Sequence, residues 1–318
     1  MTTYILRRII QAIFVLIIVT IIVFLLVRLL PGDPILMIIS RSDFTESTLE
    51  EIARLRHEYG LDRPLPVQYI DWLTQIVRGD FGNSIVIREP VIKEISRRVP
   101  ITLNLSVISF IISLVLGVPA GVISAVRRGK WADTLVTVLA NFGITIPSFW
   151  LGIMMIYLFA LYLGWLPVFG YTSPLVDFTK SIRQLIMPVA CLAIFPMASL
   201  MRQTRSSMLE VMRQDYIRTA WSKGLTERVV VLKHALKNGI IPVVTLAGMS
   251  IPLIIGGQVL IETVFGIPGM GRLAVTALFS RDYAIVQGIV LVIAVFVLLC
   301  NLIVDISYGW LDPRIRYD

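Results

Sequence analysis

Residues Asp215 to Pro242, DYIRTAWSKGLTERVVVLKHALKNGIIP, form a polar and basic stretch between two long apolar segments. Its chemistry is that of a contact surface: residues 201–239 hold eight Lys or Arg, one His and three acids. A charged residue at a helix centre costs roughly 2.5–3.5 kcal/mol to insert in a bilayer. The stretch therefore sits in water or against another protein. Asp215 suits an N-cap, Lys223 lies where a last-turn cation is favoured, and Gly224 fits the left-handed position after a helix end. Thr226 then caps a second helix, with Glu227 in its first turn, that stops at Asn238 and Gly239. The first helix, about nine residues, is roughly 13 Å long. That is a compact peg for a socket in a partner.

Other residue types capable of chemistry are sparse and scattered. The two histidines, His57 and His234, lie in different polar segments with no second ligand at metal spacing. Cys191 and Cys300 fall within apolar runs and read as buried small side chains. There is no G-x-x-x-x-G-K-[ST] loop to cradle ATP. An intramembrane enzyme needs a buried nucleophile with a base, a His-Glu-x-x-His site or paired aspartates. No apolar segment contains a histidine, and Asp305 lies near a segment end with no partner expected in the others. An ion-coupled carrier usually shows ionisable residues at mid-membrane and internal repeats. Here the segment centres are nearly free of charge, Glu262 lies toward one end, and no repeat is visible. Ser250 and Gln258 are the polar candidates for lining a path, or equally for hydrogen bonds between helices.

The elements that must position these residues are membrane-spanning. The 318 residues are 56% hydrophobic and 16% charged, against about a quarter charged in a soluble domain. Six segments are long enough to cross a hydrocarbon core, which takes about 20 helical residues. They are Ile9–Leu30, Ile101–Val126, Leu135–Leu163, Leu185–Leu200, Ile240–Val264 and Ala284–Tyr308, the fourth being the shortest. With both termini inside, 15 of the 29 basic residues fall in cytoplasmic segments and four in the two short external loops. That is the positive-inside distribution. It explains the net charge of +8 without nucleic acid, for which no basic groove interleaved with aromatics exists. Pro119, Pro147, Pro188, Pro196, Pro242 and Pro252 fall in or at the ends of spans two to five, as kinks or breaks. Gly256-Gly257 fits a close helix crossing.

Residues 31–100 form a polar external segment with nine basic and eleven acidic residues. Thr48 to Glu51 reads as a capping box opening a helix through Tyr59, with Gly60 as stop. After Pro64 and Pro66 a second amphipathic helix gathers Tyr69, Trp72 and Ile76 and ends at Gly79. The expected organisation is 1–30 as first span, 31–100 as external subdomain, 101–308 as a five-helix core with its basic loop at 201–239, and 309–318 as a cytoplasmic tail.

RTAWSKG, Arg218 to Gly224, resembles the EAA loop of permease subunits of ABC importers, with Arg218 where the general pattern has Glu. The string MLEVMRQDYIRTAWSKGL, followed by KHALKN and IIPVVT, is similar to the peptide, glutathione and nickel branch of that family. So are PGDP, GLDRPLPVQYIDWL, GDFGNSI, VPITLNLS, AVRRGKWAD, IPSFWLG, GWLP, FGIPGMGRL, SRDYAIVQG and LDPRIR, which cover essentially the whole chain. His234 to Lys237 stand where the general loop closes on Ile-x-Leu-Pro. The resemblance implies an all-α, six-helix, type I importer fold in a prokaryotic inner membrane. It also implies a homologous second permease, two ABC ATPase subunits that use ATP and Mg, and a periplasmic or extracellular substrate-binding protein. This chain itself would bind no cofactor. Peptides head the implied substrates, with nickel chelates, glutathione and oligosaccharides on the same pattern. Asp215, Tyr216, Arg218, Thr219, Ala220, Lys223, Gly224 and Leu225 would form the ATPase-coupling helix and its turn.

Overall fold

Inside hydrocarbon every backbone amide must find its partner within the protein, so long apolar runs become helices. The computed structural model describes residues 2–29, 53–54, 57, 62–84 and 86–311. The capping box at Thr48, the PGDP string and the basic tail at Arg314 and Arg316 lie outside them. In order, the helices are α1 (Thr2–Leu29), α2 (Leu65–Val77), α3 (Val91–Val126), α4 (Trp131–Thr145) and α5 (Ser148–Tyr162). There follow α6 (Phe178–Val211), α7 (Asp215–Ser222), α8 (227–239), α9 (Ile241–Val264), α10 (Met270–Phe279) and α11 (Tyr283–Leu311). Among the described residues there is no strand, only an isolated bridge between Asn83 and Pro90.

Of these, α1, α3, α6, α9 and α11 are each long and apolar enough to cross a membrane, and α4 with α5 make a sixth candidate bent by 103°. The expected third span is therefore not one rod. Ile146 is extended at φ −73°, ψ 126°, as the ring of a following proline requires. Pro147 brings no N–H to the ladder, and the chain restarts at Ser148 in a new direction. The fourth span is also corrected. Hydropathy confines it to Leu185–Leu200, whereas α6 runs for 34 residues, capped at its start by the Asp177 carboxylate on the Lys180 amide. Arg, Gln, Met and Glu after Leu200 are good helix formers, so polarity rises there while the hydrogen-bond ladder continues. Pro188, Pro196, Pro100, Pro119 and Pro252 all lie inside unbroken helices.

The chain divides into two compact units, one of residues 1–8, 100–272 and 299–318, the other of 9–99 and 273–298. In the first unit an apolar core joins Leu105 of α3, Leu185, Met187 and Leu192 of α6, and Ile261 and Phe265 at the end of α9. Helices approach closely at glycines: a Cβ on Gly121 of α3 would lie 2.6 Å from the Met201 carbonyl oxygen and from Thr204 Cβ of α6. The crossing expected at Gly256-Gly257 is looser, with Leu192 at 3.7 Å from a Cβ on Gly257 and nothing within 4 Å of one on Gly256. Asp305 does have a partner, Arg8, at 3.3 Å.

In the second unit α2 turns its aromatic face onto α1. Phe24 packs between Tyr69 and Trp72, with ring centroids 5.5 and 5.9 Å away, and Tyr69 hydrogen-bonds Thr20 at 2.9 Å. Gly79, at φ +83°, follows the end of α2. Buried Asp282, before α11, accepts hydrogen bonds from Ser84 Oγ and the Val86 amide.

Candidate functional site

The polar stretch folds as a short helix, a four-residue turn over 223–226 that reverses at Gly224, and a second helix. Asp215 is the first helical residue of α7, not its cap; that place belongs to Gln214, extended at ψ 148° and without a side-chain bond. Asp215 still acts on the helix start, because an acid in the first turn meets the positive end of the helix dipole. Its exposed carboxylate accepts from Arg218 Nη1 at 3.3 Å. The helix has eight residues, one fewer than the sequence suggests. It closes with the Lys223 amide on the Thr219 carbonyl at 3.1 Å and the Gly224 amide on the Trp221 carbonyl at 2.9 Å. Gly224 is left-handed, φ +76°, a conformation that costs residues with a Cβ about 1–2 kcal/mol. Thr226 begins α8 through its backbone alone, with no side-chain cap. Residues 230–235 of α8 are wound as a π-helix, and α9 follows after Ile240.

Two faces of α7 do different things. Ile217 and Ala220, three residues apart and so on one face, are buried with Ala125 of α3, Met208 of α6, and Val230, Val231 and Ala235 of α8. Ala220 therefore seats the peg on its own chain. Tyr216, 44% exposed, adds a tether, accepting from Asn238 Nδ2 at 2.9 Å. Arg218, Thr219, Lys223, Gly224 and Leu225 are exposed. Exposed on the same stretch are residues the sequence reading left out: Trp221 at 41%, Val229 and Leu232. An exposed Trp on a cationic segment outside the spans is the signal that marks them, since clustered exposed apolar side chains mark interaction surfaces.

The two candidate path residues lie elsewhere. Ser250 is buried and donates to the Ala247 carbonyl of its own helix at 2.7 Å. Gln258 is buried and donates to the Thr102 carbonyl at 2.9 Å and to Ser106 Oγ, so it ties α9 to α3. Of the two roles open to Gln258, the geometry favours the bond between helices. Glu262, one turn on, accepts from Thr102 Oγ1 at 2.7 Å and the Arg272 amide at 3.0 Å. Cys191 and Cys300 are free thiols, the first buried and the second half-buried. Among the described residues no three His, Cys, Asp or Glu side chains cluster as metal ligands.

Residues 117–317 match the family described as binding-protein-dependent transport system inner membrane component, and residues 1–106 match its N-terminal counterpart. A peptide transport system permease protein of Brucella abortus is 44% identical over 318 residues, covering 100% of both chains. The oligopeptide transport system permease protein AppB of Bacillus subtilis is 41% identical over 324 residues, again covering 100% of both. Among solved structures, a chain of the MetNI methionine ABC transporter in an inward-facing conformation aligns with a TM-score of 0.58 at 18% identity. It covers 70% of this chain and 97% of its own length. At that identity the likeness is one of fold.

Proposed function

Because this chain belongs to the binding-protein-dependent transport inner-membrane family, we propose that α7 is the element through which ATP, hydrolysed by partner subunits, drives peptides across the membrane. The chain is a multi-pass permease of an ABC importer of the prokaryotic inner membrane. Peptides are proposed as cargo because relatives spanning the full length carry names for peptide or oligopeptide transport.

A homologous second permease completes the path, two ATPase subunits lie beneath, and an external binding protein delivers the peptide. The basic segments, 201–239 among them, face the cytoplasm on the positive-inside rule. ATP and Mg belong to the ATPase chains, since this sequence has no phosphate-binding loop. One observation carries the proposal: α7 is fixed from behind by Ile217 and Ala220 while Tyr216, Trp221 and Leu225 stand exposed in a cationic loop. Such a peg transmits a push because it is rigid at its base and adhesive at its tip. Closure of the ATPases shifts the inward–outward equilibrium only by the difference in their affinity for the two states, and α7 is where that difference acts.

Purified alone in lipid, the chain is expected to hydrolyse no ATP. Turnover appears on adding the two ATPases and second permease, and rises with the peptide-loaded binding protein. Stoichiometric Mg-dependent hydrolysis by the isolated chain would refute the subunit assignment.

A further inference from the structure

The sequence string AVRRGKWAD ends on an aspartate that no part of the coupling peg uses. Asp133 opens α4, its side chain 9% exposed, and meets Arg205 of α6, 31% exposed, in two parallel contacts. Arg205 Nε lies 2.7 Å from Oδ1 and Nη2 3.0 Å from Oδ2. Ser124 Oγ of α3 donates to Oδ1 at 2.6 Å, and the Gly129 amide, in the turn between α3 and α4, donates to Oδ2 at 2.9 Å. One carboxylate thus holds three helices.

We propose that Asp133 and Arg205, with Ser124 and the Gly129 amide, are positioning residues that make the ends of α3, α4 and α6 move as one body when α7 is displaced. The proposal rests on the reading of α7 as the coupling helix. Its ground is adjacency: Ser124 precedes Ala125, and Arg205 lies one turn before Met208. Ala125 and Met208 are the fully buried residues of α3 and α6 in the core that cradles Ile217 and Ala220. A push on α7 therefore reaches both helices at the positions the carboxylate joins.

Without that joint, the nearby contacts between α3 and α6 are packing ones, such as Gly121 against Met201 and Thr204 and Ala125 in one core with Met208. Such packing resists separation but has no directional bonds to resist sliding. A bidentate guanidinium–carboxylate pair fixes orientation as well as distance. Buried pairs add little net stability over apolar replacements, so a pair kept here is better explained by register than by strength.

The test uses the assembled transporter in liposomes with both permeases, the ATPases and the peptide-loaded binding protein. Arg205→Ala strands the buried Asp133 carboxylate, Asp133→Ala leaves the half-buried Arg205 without its bidentate partner, and each lowers assembly. The decisive variant is therefore Asp133→Leu with Arg205→Met, which keeps apolar volume and removes the joint. Assembly and basal ATP hydrolysis are expected near the parent's, while peptide moved per ATP falls roughly 2- to 30-fold, the range seen for residues in coupling networks. Arg205→Lys, which keeps one charged contact, is expected to lie between. A double variant that assembles and couples like the parent overturns the proposal. So does one whose transport falls only in proportion to the amount assembled. Gly224→Val is measured in parallel: if it couples normally, the reading of α7 fails and the proposal with it. If Gly224→Val uncouples and the double variant does not, only the joint fails.

Discussion

Gly224→Val leaves the chain inserted and abundant but removes the stimulation of ATP hydrolysis by the loaded binding protein and nearly all uptake. The expectation follows from backbone geometry. Gly224 stands at φ +76°, and a Cβ there would meet nothing within 4 Å. Space is not the obstacle; the left-handed conformation is. It costs roughly 1–2 kcal/mol for residues with a Cβ, and a β-branched residue there is an outlier. The chain relieves that strain by turning elsewhere, which tilts α7 against the seat made by Ile217 and Ala220. A misplacement of about 1 Å in a preformed constellation can cost around a hundredfold. Asparagine tolerates the left-handed region, so Gly224→Asn should keep most coupling while Gly224→Ala loses part. The measurement is ATP turnover and peptide uptake in proteoliposomes at matched transporter content. Parent-like coupling by Gly224→Val would remove α7 from the transmission path.

Gly121→Val fails differently. Its Cβ would lie 2.6 Å from both the Met201 carbonyl oxygen and Thr204 Cβ, and one of those atoms is backbone. No rotamer change makes room, so α3 and α6 must separate. Overpacking a tight core costs typically 1–3 kcal/mol, and a loss of about 1–2 kcal/mol can change abundance several-fold. The expected result is a several-fold drop in membrane-inserted, assembled protein, with a lowered thermal midpoint for what remains. Quantitative immunoblotting of membranes and a thermal-shift assay in detergent check it. Unchanged abundance and midpoint would mean the two helices do not meet as described.

These two glycines also show how far the sequence could be read. Gly224 was legible because a left-handed turn after a helix is a local matter, announced by Lys-Gly and a following Thr-Glu. Gly121 was legible only as a small residue in an apolar run, where a larger one would act through packing; what it meets depends on α6, whose Met201 and Thr204 lie 80 or more positions away. Six apolar segments were legible as lengths of hydropathy. Hydropathy does not report hydrogen-bond continuity, so it merged α4 with α5 across Pro147 and cut α6 at Leu200. Within α7 Ala220 was legible through the family pattern, but its burial beside Ile217 and the exposure of Trp221 depend on neighbours that α3, α6 and α8 supply. The ion pair of Asp133 and Arg205 spans 72 positions. Nothing local distinguishes that aspartate from a solvated first-turn acid.

The central claim is that α7 docks on an ATPase. It is tested most directly by cross-linking from Lys223→Cys with a short-spacer thiol-to-amine reagent in the assembled transporter, with Cys191 and Cys300 replaced and an otherwise cysteine-free set of partners. Lys223 is exposed and pairs its amide with the end of α7, so a cysteine there leaves the helix intact. The account predicts one major product, a permease–ATPase adduct whose yield changes when ATP is bound, and none from Asp177→Cys on the opposite side. An ATPase adduct from Asp177→Cys, or none from Lys223→Cys in a transporter that hydrolyses ATP and moves peptide, would contradict it.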